Sequence, residues 1–293
     1  MSTDLTTGPG TVDTDGSPAA APEHTTSGTT ARHRGTQPTL PRIVGPRPDR
    51  SVSLTRLVGV EWRKQVDTRA GFWLLVSIGL ITAGVLVIMF FVGGGAHSWG
   101  DYLLATATPL SILLPIVGIL AATSEWSQRT GLTTFALEPR RGRVVLAKTL
   151  SSLLTALATL LLSVALSAGV HQLAVSVRGV EADWSMSWAV LGGVALMIAL
   201  SLVQGVAFGL ALLNTPGAIV AYLVLPTVWG ILGGLISWLK DAATWLDVGS
   251  SMEPLLSGSM TGEQWSHLGT ASAVWVALPL AFGLWRVLRA ELK

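Results

Sequence analysis

From Phe72 to Val92 the chain carries no charged residue, and five further stretches share that character: Leu103–Thr123, Thr149–Val170, Trp188–Leu213, Ala218–Trp238 and Leu268–Trp285. A helix over the first of these rises roughly 31 Å, close to the hydrocarbon thickness of a bilayer. None of the six contains Asp, Glu, Lys or Arg, residues that are costly at mid-membrane. The pattern predicts an all-α polytopic membrane protein with six transmembrane helices.

Two segments outside the spans follow a different rule. Ahead of the first span, Leu54, Leu57, Val58, Trp62 and Val66 recur at helical spacing, with Arg56, Arg63 and Asp67 on the other side. That predicts an amphipathic helix lying in the membrane surface with its apolar side down. Glu61 and Arg69 break the pattern, since both project near the apolar arc. Between spans two and three, Glu125 and Arg129 stand four apart in the order that favours a helical ion pair. Leu132, Phe135 and Ala136 add a short apolar face. Pro139 ends the helix, and Arg140, Arg141, Arg143 and Lys148 lead into the third span. Basic residues alone suit any loop on the cytoplasmic side, but the apolar face favours an ordered docking element.

Charge placement sets the orientation. Of the 19 lysines and arginines, only Arg178 and Lys240 fall on the side opposite the N-terminus, so the positive-inside rule predicts both termini in the cytoplasm. Tryptophans mark the same boundaries, with Trp73, Trp126 and Trp285 at the inner edge and Trp99, Trp184, Trp188, Trp238, Trp245 and Trp265 at the outer. Trp229 and Trp275 fall within spans and are expected to pack between helices.

Residues 1–50 are rich in Thr, Pro, Gly, Ser and Ala and poor in large apolar residues, and they read as a disordered cytoplasmic tail. The tail has no apolar core near its start and so does not read as a signal peptide. Residues 51–293 form the membrane domain. Charged residues make up 12% of the chain, about half the ~25% usual in soluble domains, and mean hydropathy is +0.57. The net charge of +2 gives no reason to expect a nucleic-acid partner, and with no cysteine, thiol catalysis and cysteine metal sites are excluded.

Enzymatic chemistry finds no support. The chain has no G-x-x-x-x-G-K-[ST] loop to cradle nucleotide phosphates. None of His24, His33, His97, His171 and His267 lies deep in a predicted span, and Ser257-Gly-Ser259 has no evident base. Charge-free spans also disfavour an ion-coupled carrier. Gln204, the most polar side chain deep in a span, is expected to hydrogen-bond between helices rather than to contact a substrate. Gly205-x-x-x-Gly209 and Gly230-x-x-x-Gly234 permit close helix approach. The long acidic segment Leu239–His267 either dips back into the outer leaflet or stays solvated.

Here a resemblance enters. The amphipathic N-terminal helix followed by Gly71-Phe-Trp-Leu-Leu looks like the start of an ABC-2 type transporter permease subunit. The loop is similar as well, through Thr123-Ser-Glu-Trp-Ser-Gln-Arg-Thr-Gly-Leu-Thr-Thr-Phe, Glu138-Pro-Arg-Arg-Gly-Arg and Ala147-Lys148. The resemblance implies a bacterial plasma-membrane exporter subunit that works as a homo- or heterodimer. Cytoplasmic ATPase subunits would carry the ATP and Mg, leaving no cofactor in this chain. A coupling helix at Ser124–Leu137 would receive their stroke, with Glu125 and Arg129 holding it, Leu132 and Phe135 entering the ATPase cleft, and Arg140, Arg141 and Arg143 fixing the loop at anionic lipid. A competing reading from another class is a non-transporting scaffold, sensor or immunity protein that holds a cytoplasmic partner by the same loop.

Overall fold

The computed structural model describes residues 52–92 and 97–289, so the predicted tail, residues 1–50, lies outside the described residues. Every regular element among them is helical. The chain order is α1 (Leu54–Asp67), α2 (Arg69–Phe91), α3 (Trp99–Ser127), α4 (Gly131–Leu137), α5 (Arg141–Arg178), α6 (Trp188–Leu212), α7 (Thr215–Leu235), α8 (Lys240–Leu246), α9 (Val248–Met252), α10 (Gly262–Ser272) and α11 (Leu278–Arg289). Six helices are long and apolar enough to cross a membrane: α2, α3, α5, α6, α7 and the run Gly262–Arg289, in which a π turn, Ala273–Ala277, joins α10 to α11.

Local signals explain the boundaries. Ser98 and Asp101 close a capping box at the start of α3, and Thr261 with Gln264 does the same for α10. Ser187 caps α6, and Asn214 caps α7. Thr68 both ends α1 and caps α2 by accepting from the Gly71 amide at 3.2 Å. A Cβ at Gly71 would run into the Gln65 carbonyl, so this elbow needs glycine.

The predicted third span, Thr149–Val170, sits inside a longer helix. α5 has 38 residues and a length of about 57 Å at the standard rise. It begins early because Lys148 and the arginines at its start are paired within the protein. It runs on to Arg178, whose guanidinium lies over the Phe90 and Phe91 rings at 4.3 and 5.2 Å. His171, beyond the predicted span, is consequently buried inside a helix.

α6 is the most buried of the six and α7 the least. α6 crosses α3 along a seam of small residues, where a Cβ at Gly205 would overlap the Pro115 carbonyl and one at Gly209 would meet the Ala122 methyl at 2.7 Å. The first predicted glycine pair is therefore a packing seam. The second is not: Gly234 has nothing near it, and the neighbouring Gly233 packs on Ala243 instead. Pro115 brings no N–H to the Ser111 carbonyl one turn back, and the Tyr222 hydroxyl donates to that carbonyl at 3.0 Å.

The segment between α7 and α10 folds back along the bundle. Leu255 packs on Gly193, and Met252 Sδ lies 3.7 Å from Ser201 Oγ, near the middle of α6. The Trp275 indole donates to the Leu246 carbonyl at 2.6 Å and ties the segment to the last long helix. The segment Leu239–His267 therefore packs against the long helices instead of standing off them as a loop.

Candidate functional site

Eleven of the described lysines and arginines gather where α1, α4 and the adjoining ends of α3, α5 and α11 meet. Three of these elements bring charges into the interior. Lys148, at the first turns of α5, is 2% exposed, and its Nζ lies 2.7 Å from Glu61 Oε2 on α1 and 2.8 Å from Glu125 Oε1 on α3. It also donates to the Ala121 carbonyl at 2.8 Å and to Ser124 Oγ at 3.0 Å. Lys64, nearer the surface, contacts Glu61 Oε1 at 2.6 Å and Glu125 Oε1 at 3.3 Å. Two carboxylates and two ammonium groups thus form one neutral buried cluster.

A second polar layer sits beside it. Gln65 Nε2 donates to Ser151 Oγ at 2.7 Å and Ser152 Oγ at 3.1 Å, and Gln65 Oε1 accepts from Thr155 Oγ1 at 2.8 Å. Glu61 and Gln65 lie one turn apart on α1, so α1 is locked to α5 by polar contacts on its inner face. Burial works against the Lys64 ammonium, yet the Glu61 and then Glu125 carboxylates outweigh it and hold its pKa above the ordinary lysine value.

This arrangement corrects the expectation for α1. Leu54, Leu57 and Val58 are half-buried on the same side as the buried Glu61 and Gln65, so the arc faces the bundle rather than lipid. Val66 is half-buried at its edge, and Trp62 is exposed. Glu61, which spoils an apolar arc, is the residue that arc is built around.

The loop is also rearranged. α3 ends at Ser127, and Arg129 takes φ 56°, so the segment Ser124–Leu137 is a helix end, a break and a second helix. The expected Glu125–Arg129 pair does not form: Arg129 is exposed, and Glu125 turns inward to Lys148. Phe135 is buried against Trp126, with the Arg141 guanidinium 5.0 Å above its ring. It therefore anchors α4 and does not project outward. Leu132 and Leu137 do, at 58% and 74% exposure.

The three arginines divide. Arg143 bonds Glu138 Oε2 at 3.1 Å and the Val52 carbonyl at 2.5 Å, and Arg141 donates to the Val287 carbonyl at 2.8 Å. Both hold the loop to protein, and only Arg140 is exposed. Pro139 lies between α4 and α5, as expected for a helix stop. Between α1 and the α3–α4 break runs a cavity of about 690 Å³, lined by Leu57, Val60, Lys64, Leu120, Thr134 and Leu137 among others.

Chemically, the cluster is a lock. Each carboxylate is already neutralised, and among the described residues no group of three His, Asp or Glu is placed to hold a metal ion. Glu61, Lys64 and Lys148 were not singled out as a unit by sequence reasoning. Their signal was a set of exceptions, an acid in an apolar arc and opposite charges at the facing edges of two spans. Gln204 is buried, but the hydrogen bond between helices expected of it is not made by its Nε2, which has no partner. No family model matches the chain, and no curated protein matches it.

Proposed function

We propose that this chain is the membrane-spanning permease subunit of an ATP-driven exporter of the ABC-2 type, with its ATPase supplied by a separate cytoplasmic chain. The observation that carries the reading is the buried Glu61–Lys64–Glu125–Lys148 cluster. It joins α1, α3 and α5 into one rigid end of the bundle. A partner that pushes on a flexible loop moves only the loop, whereas a push on α4 here is transmitted to two membrane helices through Phe135, Arg141 and the charge cluster.

The same end carries the positive charge expected on the cytoplasmic side, and this supports a reading with both termini in the cytoplasm and the bundle in a bacterial plasma membrane. The surface offered to the ATPase is the outward side of α4, with Leu132 and Leu137 beside the groove that α1 borders. Two permease subunits with two ATPases would enclose the path, and the chain's role is passage, with ATP and Mg bound by the partner. Purification of the tagged protein from its native membrane should bring down a phosphate-loop ATPase in stoichiometric amount. Leu132→Asp combined with Leu137→Asp should abolish that capture while leaving membrane insertion intact. A stable complex containing no ATPase would replace the exporter with the scaffold or sensor reading.

A further inference from the structure

A second cavity, of about 310 Å³, opens halfway along the bundle between α3, α6, α7 and α9. Its depth follows from the helices that frame it. Ser201 and Gln204 sit close to the midpoint of α6, and Ser111 close to that of α3. Gly230, five residues before the end of α7, is the α7 neighbour of the Asp247 carboxylate, which a Cβ on that glycine would meet at 3.4 Å. That sets Asp247 about 7 Å inside the span by helical rise. The folded-back segment therefore carries a carboxylate into a slab that the six predicted spans keep free of charge.

Two polar atoms at this cavity, Asp247 Oδ2 and Gln204 Nε2, lack hydrogen-bond partners. Asp247 Oδ1 accepts from the Gly249 and Ser250 amides at 2.9 and 3.3 Å, and no hydrogen bond falls on Oδ2. Among the described residues no lysine or arginine pairs with it. Gln204 is 3% exposed and lines the same cavity with its Nε2 unpartnered. A lone carboxylate and an unsatisfied amide are both unfavourable at this depth, and a ligand bearing positive charge and a hydrogen-bonding group relieves both.

We propose that this cavity binds an amphiphilic organic cation, a protonated amine on an apolar body, with Asp247 as its charge partner and the Gln204 amide bonding a polar group beside the charge. The remaining walls decide against a bare metal ion, which would need several more oxygen ligands than Asp247 and scattered hydroxyls offer. Met197, Val248 and Met252 suit an apolar body. Ile112, Leu223 and Thr227 at the rim are exposed on the flank of the bundle, so entry is lateral, from lipid. The volume falls within the range of small-ligand sites. The inference rests on the six helices crossing a bilayer and needs no ATPase. Within the proposed exporter it names the cargo class.

The test uses the full chain in phosphatidylcholine nanodiscs and dibucaine, a fluorescent hydrophobic tertiary amine, with empty nanodiscs subtracted for lipid partition. Saturable binding is expected, weakened at least tenfold by Asp247→Asn and at least threefold by Gln204→Leu. Asparagine still caps α9, so the first variant keeps the fold. Ile112→Trp, which fills the rim, should remove binding without touching either polar group. A neutral analogue lacking the amine should bind at least tenfold more weakly. No saturable binding to monodisperse protein, equal affinity in Asp247→Asn, or equal affinity for the neutral analogue would each overturn the proposal. None of these readings depends on ATPase capture, so either proposal can fail alone.

Discussion

Replacing Lys148 with methionine isolates the energetics of the buried cluster. The side chain is nearly isosteric, so packing is kept while one of two cations is lost. Glu61 and Glu125, at 4% and 1% exposure, are then left sharing Lys64, which sits at the surface edge and reaches Glu125 only at 3.3 Å. Removing one partner of a buried pair costs about 3–5 kcal/mol, because the surviving charge stays desolvated. By the scaling for domains of this size, that lowers the melting temperature by about 6–20 °C. The chain holds 12 tryptophans, so intrinsic fluorescence during heating in detergent reports the transition. Adding Glu125→Gln to Lys148→Met restores neutrality and should recover about 1–3 kcal/mol of the loss. Lys240→Met, exposed at the start of α8, serves as control. A Lys148→Met shift no larger than the control, or a double variant worse than the sum of its singles, would refute the argument that these charges stabilise one another.

Other consequences follow from the same packing. Phe135→Ala removes the anchor of α4 and should lower its local opening energy by about 3 kcal/mol, raising amide exchange over residues 131–137 roughly 100-fold. Gly205→Ala drives a methyl into the Pro115 backbone and should cost about 1–3 kcal/mol in thermal unfolding, whereas Gly234→Ala, with open space around it, should be near neutral. Because the folded pKa of Lys64 lies above its value of 10.5 in the unfolded chain, its ion pairs stabilise fully below that pH and are lost as pH rises through the folded pKa. Melting temperatures measured from pH 9 upward should therefore fall above about pH 10.5, and Lys64→Met should remove that part of the decline.

The spans were legible because a charge-free run long enough to cross a bilayer has few other physical explanations, and the helices over all six runs obey it. Their ends were less so. Lys148 looks like a residue that must end a span, yet paired with Glu61 and Glu125 it is buried inside α5. Periodicity alone assigned the α1 arc to lipid because it scores Glu61 as a defect, while a partner from another helix turns that defect into the centre of an interface. Phe135 shows the same limit: a short amphipathic helix has an apolar face, but only tertiary contact shows whether that face points inward. The depth of Asp247 was invisible for a related reason, since nothing local marks a loop residue as lying inside the ends of other helices.

The absence of cysteine allows the central claim to be tested at a single atom. Leu137→Cys puts the only thiol of the chain on the outward side of α4, and a short thiol-reactive photo-crosslinker there samples whatever occupies that surface in native membranes. The account predicts a single major adduct with a phosphate-loop ATPase, formed from the cytoplasmic side and lost when the groove is filled by Val60→Trp. Adducts with lipid alone, or with a protein that carries no ATPase fold, would contradict it.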